Sequence, residues 1–149
     1  MEPTELEIQV EGLLSYWFRE ILPVIKINVR IDRRYSSCLI VEEVKEGKTY
    51  NVMYNPEYLK QWPDEMVVCG VFHEIGHVKY GWRGKGENSI RDVEDEVIAE
   101  RFAVKMIKKH YPERLGEIVR YTKAKMNDPE WIEDAKIHYL AYKHVKEYE

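Results

Sequence analysis

Residues 73–77 read His-Glu-Ile-Gly-His, two imidazoles four positions apart with a carboxylate next to the first. On an α-helix that spacing puts both imidazoles on one face, about a turn apart, where they can reach a single metal ion. The preceding stretch favours a helix. Pro63 suits its first position, and Asp64 and Glu65 suit its positive N-terminal end. Val67, Val68, Val71, Phe72, Ile75 and Val78 nearly encircle the axis, which requires the helix to be buried at the centre of the fold. Ionisable His73, Glu74 and His77 in such a helix are costly unless they are paired or bind metal. With zinc on the two histidines, Glu74 projects beside the metal and can take a proton from an activated water. The competing account is two hydrogen-bonded structural histidines and a salt-bridged glutamate.

The downstream sequence argues for the metal. Ser89 followed by Asp92 is a helix-starting pattern, and apolar spacing continues from there to Ile107. Glu96 and Glu100 are again four apart and share a stripe with Ala99 and Ala103. Small residues on that stripe allow a close approach to the first helix, and Gly70 and Gly76 can do the same from the other side. A carboxylate from Glu96 completes a two-His, one-Glu zinc site with the fourth position open for water. Glu100, one turn further on, is spaced to accept the second ring N–H of a ligating histidine.

H-E-x-x-H followed, after a loop, by E-x-x-x-D or E on a second helix resembles the gluzincins, the thermolysin-type metallopeptidases. Glu96 follows His77 by 19 residues, and Glu96-Val-Ile-Ala99-Glu100-Arg-Phe102-Ala103 is similar to the E-x-x-A-D-x-F/Y-A run of several gluzincins. At 149 residues the chain looks most like the compact archaeal minigluzincins; the motif-level match covers about residues 50–107. The resemblance implies one Zn²⁺ per chain on His73, His77 and Glu96, with Glu74 as general base and acid, Glu100 behind a ligand, and a peptide or protein as substrate. The family more often has Asp where this chain has Glu100. A metzincin would need glycine at 80 and histidine at 83, where this chain has Tyr80 and Arg83. A closed structural zinc site would need four Cys or His ligands, and Cys38 and Cys69 are not spaced as a pair.

The rest of the chain supplies a frame. Thr4 and Glu7 make a capping box, and Leu6, Val10, Leu13, Leu14, Trp17 and Ile21 recur at helical spacing, so a helix is predicted from Thr4 to Ile21. Val24 to Ile31 alternates apolar and polar residues, and Cys38–Val44 and Lys48–Tyr54 read as two more strands around a turn at Lys45-Glu46-Gly47. A helical turn at Tyr58 and Leu59 precedes the His73 helix, and Gly81–Gly86 reads as a flexible loop after it. Helices starting at Pro112 and at Asp128-Pro129 fill the last third. With no linker or repeat, the expectation is a single domain over 1–149 of α+β class. The gluzincin resemblance makes its sheet a small antiparallel one of about three strands, packed on a mostly helical domain that contains the zinc helix and the glutamate helix. It also implies that the strand Tyr50, Asn51, Val52, Met53 and Tyr54 binds an extended substrate, which main-chain pairing would hold whatever its sequence.

Composition narrows the partners. With 44% apolar and 34% charged residues, the chain reads as globular, and no run approaches the roughly 20 apolar residues of a membrane span. The first five residues are acidic and show no signal-like pattern, and two distant cysteines read as reduced thiols, so a cytoplasmic protein is expected. A net charge of −4 disfavours nucleic acid as a main partner. The basic run Lys105, Lys108, Lys109, His110, Arg114, Arg120, Lys123 and Lys125 is read as a solvated helix face. Tyr80, His110, Tyr111, His138 and His144 are the candidates by residue type for steadying an oxyanion. The gluzincin resemblance also implies that the site can be latent, with a terminal segment, Trp131–Glu149 or the N-terminal helix, lying in the cleft. The alternative functions are a zinc-binding regulatory protein that cleaves nothing and, with less support, a nucleic-acid-associated protein.

Overall fold

The computed structural model describes residues 4–34 and 39–149, in which seven α-helices and one three-stranded sheet make an α+β fold. The chain divides into two compact units, Met1–Ile75 and Gly76–Glu149. No helix among the described residues is long and apolar enough to cross a membrane.

The first unit opens with α1, Glu5–Ile21. Thr4 accepts from the Glu7 backbone N–H while the Glu7 carboxylate accepts from the Thr4 N–H, closing the capping box. Its stripe of Val10, Leu14, Trp17 and Phe18 is buried. The strands are β1 (Lys26–Ile31), β2 (Leu39–Lys45) and β3 (Thr49–Tyr54). Residue Cys38, expected to open the second strand, lies outside the described residues, as do Met1, Glu2 and Pro3. In β1 the alternation works as expected, with Ile27, Val29 and Ile31 turned inward.

The sheet is mixed rather than antiparallel. Its order is β1-β3-β2, with β2 and β3 antiparallel and β1 and β3 parallel. The β2–β3 hairpin turns tightly at Gly47, whose φ of 66° is one that a side chain would strain. That turn sends β3 back between its partners, alongside β1. Tyr54, at the end of this central strand, is fully buried and donates its hydroxyl to Glu11 of α1 at 2.9 Å. Burial, followed by the nearby Glu11 carboxylate, pushes the Tyr54 phenol above its usual pKa. After α2 (Pro56–Leu59), capped by Asn55, α3 runs unbroken from Asp64 to Tyr80. Trp17 packs edge-on against Phe72 of α3, with ring centroids 4.9 Å apart.

The second unit is helical: α4 (Ile90–His110), α5 (Leu115–Met126), α6 (Pro129–Asp134) and α7 (Lys136–Tyr142). Ser89 and Asp92 close the capping box of α4, and Asp128 caps α6. Val104, Val145 and Tyr148 form a core with Leu115, Val119, Met126 and Tyr142 packed around it. The basic run is occupied locally: Lys108 with Glu147, Arg120 with Glu117, Lys123 with the Glu149 carbonyl, and Lys125 over the Tyr121 ring.

The two glycines of α3 have separate roles. A Cβ on Gly76 would stand 3.1 Å from the Ala99 Cα and 3.2 Å from its carbonyl oxygen, so the end of α3 touches α4 backbone to backbone. Gly70 instead makes room for Trp62, whose ring would lie 3.0 Å from a Cβ there. Gly76→Ala is therefore expected to destabilise the protein by about 1–3 kcal/mol, read as a lower Tm. Gly12→Ala, at an exposed α1 position with nothing within 4 Å of a Cβ, should instead stabilise by up to about 1 kcal/mol.

Candidate metal centre

Helix α3 carries His73 and His77 one turn apart on one face, both nearly fully buried, with Glu74 partly exposed beside them. Past Tyr80 the chain leaves the helix at Gly81, whose φ is 76° and whose N–H bonds the His77 carbonyl at 2.8 Å. The Trp82 ring then stacks on the His77 imidazole at a centroid distance of 5.6 Å.

The glycine loop is held down by two carboxylates of α4. Asp95, 4% exposed, accepts from the Arg83 N–H through both oxygens, at 2.9 and 3.0 Å, and from the Gly84 N–H at 2.9 Å. Asp92 accepts from the backbone N–H groups of Gly86, Glu87 and Ser89 at 2.9, 3.1 and 2.9 Å. A Cβ on Gly84 would fall 2.1 Å from an Asp92 oxygen, so the loop fits α4 only with glycine there. The expected flexible surface connection is thus an anchored one, and the anchor fixes where α4 starts relative to the end of α3.

Glu96 lies one residue after Asp95, and its Oε1 is 3.1 Å from Nε2 of His77. Its Oε2 is 3.3 Å from Nε2 of His138, a residue of α7. Donor atoms bound about 2.0–2.1 Å from a tetrahedral zinc stand about 3.3 Å from one another. Each of the two Glu96 oxygens thus has one imidazole nitrogen at about that range, His77 on one and His138 on the other. Asp95 has both oxygens committed to the loop and Glu94 is exposed, which distinguishes Glu96 from its acidic neighbours.

Glu100 is 3% exposed, and its carboxylate accepts the Tyr148 hydroxyl. Of the residue types considered for an oxyanion role, His138 is carried to Glu96, whereas Tyr80 packs edge-on against Phe102. Neither Tyr148 nor the importance of His138 has a local signal, since both come from short elements far along the chain from Glu96.

The strand Tyr50, Asn51, Val52, Met53 and Tyr54 requires a correction. It is the central strand, paired over its whole length with β1 on one side and β2 on the other, so it has no edge for an extended peptide. Local alternation reports which face of a strand is buried and carries no information about its rank in the sheet.

Comparison with known proteins finds no matching family model, no matching curated protein and no matching solved structure.

Backbone hydrogen bonds from Ser89 first, then Gly86, hold the Asp92 carboxyl below its ordinary value of 3.8. A depressed folded pKa gives stability that is complete above the unfolded value and is lost as pH falls through the folded one. Asp92→Asn should lower Tm at neutral pH. The gap from wild type should narrow as melts are repeated below about pH 4.

Proposed function

We propose that the chain is a zinc-dependent peptide hydrolase of gluzincin type, with His73, His77 and Glu96 as its metal ligands and Glu74 as its proton-transfer group. The reading rests on one observation above all, the 3.1 Å approach of Glu96 Oε1 to His77 Nε2. A glutamate 19 residues downstream meets the second histidine at a ligand-to-ligand spacing, and His73 comes from the preceding turn of the same helix. A local histidine–carboxylate bond would explain the contact alone. It would not explain why the partner of each element is the residue that the H-E-x-x-H and E-x-x-x-E patterns single out.

Zinc in such a site supplies Lewis acidity, making water acidic near neutral pH and polarising a carbonyl. The protein does the rest. Glu74, partly exposed beside the buried histidines, takes the proton of the attacking water and returns it to the leaving amine. Burial of the histidines limits competition from bulk water for their nitrogens. Glu100, whose carboxylate accepts the Tyr148 hydroxyl, is assigned in this reading to orienting a ligating histidine.

Two variants test this on the purified protein. Wild type should hold about one zinc per chain by elemental analysis, and Glu96→Ala should lose most of it. Glu74→Gln should keep the zinc and lower peptide hydrolysis by about 10²–10⁴-fold. Wild type that takes up no zinc after reconstitution would refute the reading. Zinc-loaded wild type with no hydrolysis of a diverse peptide mixture would leave a metal-binding protein and remove the enzyme.

A further inference from the structure

We propose that the second unit holds a binding pocket for a small phosphate-rich anion, a molecule carrying two or more linked phosphate groups, between α4 and the segment that follows α7. A cavity of about 450 Å³ lies there, lined by Arg101, Lys105 and Lys108 of α4 and by His144, Lys146 and Glu147 of the last segment. That volume falls in the range of small-molecule sites. The lining carries four permanent cations against one carboxylate, in a chain whose net charge is −4. The pocket shares no residue with the candidate metal centre, and the inference does not rest on the zinc reading.

Helix geometry explains the alignment of these cations and not their presence. Arg101, Lys105 and Lys108 are spaced by four and three residues, so they share one face over about 10 Å. Like charges at those spacings destabilise a helix. Lys108 lies in the last turn of α4, where a cation complements the helix dipole, but Arg101 and Lys105 lie too far back for that. Lys108 also has the Glu147 carboxylate as a partner. Lys105 is exposed and has no carboxylate partner among the described residues. The repulsion along this face is therefore only partly offset within the fold, and a bound anion offsets the rest.

The walls are held before a ligand arrives. The Arg101 guanidinium donates to the His144 carbonyl at 2.8 Å, which engages one of its five N–H donors. Lys108 ties α4 to Glu147, and the lining residue Val104 belongs to the buried core with Val145 and Tyr148. Walls set in advance lower the entropy cost of binding. Arginine meets phosphate through its planar fork and lysine as a point charge, and the pocket offers both. Cations placed at successive helical turns are bridged by linked phosphates, where a single carboxylate would neutralise one of them. A nucleic-acid strand fits less well, because the neighbouring basic residues are engaged: Arg120 pairs with Glu117 and Lys123 bonds the Glu149 carbonyl. The negative net charge also opposes a polyanion that runs across the surface.

Pyrophosphate is the probe, titrated by calorimetry into the full chain at low salt. Wild type should bind it saturably at one site per chain, and more tightly than inorganic phosphate. Lys105→Gln, at an exposed position, should keep the wild-type Tm without ligand and weaken pyrophosphate binding by about tenfold or more. Lys109→Gln removes the same charge from an exposed α4 position outside the pocket and should bind as wild type does. Added pyrophosphate should raise the Tm of wild type and Lys109→Gln more than that of Lys105→Gln. No saturable binding by wild type overturns the proposal. Binding unchanged in Lys105→Gln overturns it too, placing the anion elsewhere, on a bound metal ion for one. An equal loss in both variants reduces the effect to general charge attraction and overturns the pocket. An RNA oligonucleotide that displaces pyrophosphate at lower concentration overturns the small-ligand assignment and gives the face to a polymer.

Discussion

The contact between Gly76 and Ala99 is the constraint on which the rest of the second unit depends. Two helices normally lie 8–10 Å apart because side chains separate them. Here a missing side chain on α3 and a methyl on α4 remove that separation, and the Ala99 backbone fills the place of a Cβ. Each of these residues is a neighbour, along its helix, of a group that needs the approach. Gly76 precedes His77 and Ala99 follows Glu96 by three positions, so the closest crossing lies beside the donor pair. Moving the helices apart by the width of one methyl would take Glu96 out of range of His77.

The loop joining those helices works to the same end by electrostatics. Five backbone N–H groups between residues 83 and 89 converge on the carboxylates of Asp92 and Asp95. Such charge-assisted bonds are stronger than neutral ones, and they satisfy donors that a helix start would otherwise leave exposed. A glycine-rich connection that looks permissive is held in one conformation by the element it leads into.

What the sequence makes legible follows the range of the interaction. Thr4 with Glu7, and Ser89 with Asp92, are reciprocal bonds between residues three apart, and both were readable from residue type alone. His73 and His77 are related by helix geometry, and Glu96 by a spacing that the loop length enforces. The three strands are legible, but their order and pairing are not, because that information is not local. Tyr50 to Tyr54 are buried at every position, yet nothing in their residue types states that β1 and β2 both pair with them, or that one pairing is parallel. His138 could not be singled out among its fellow candidates for the same reason: the packing of α7 on α4 that brings it to Glu96 joins elements far apart in the chain. The Asp92 and Asp95 anchors were visible as acidic residues at a helix start, but their bonds to the loop depended on where Gly84 would bend.

The strand order also dictates how the sheet can be assembled. β2 and β3 are joined by three residues, Glu46, Gly47 and Lys48, and can pair as soon as both exist. β1, although earlier in the chain, has no partner in β2 and must wait for β3 to arrive beside it. Parallel pairing across that interval closes a long loop before it gains any contact. The hairpin is therefore the natural nucleus of the first unit, and the N-terminal strand joins last, in reverse of the order in which the ribosome supplies them.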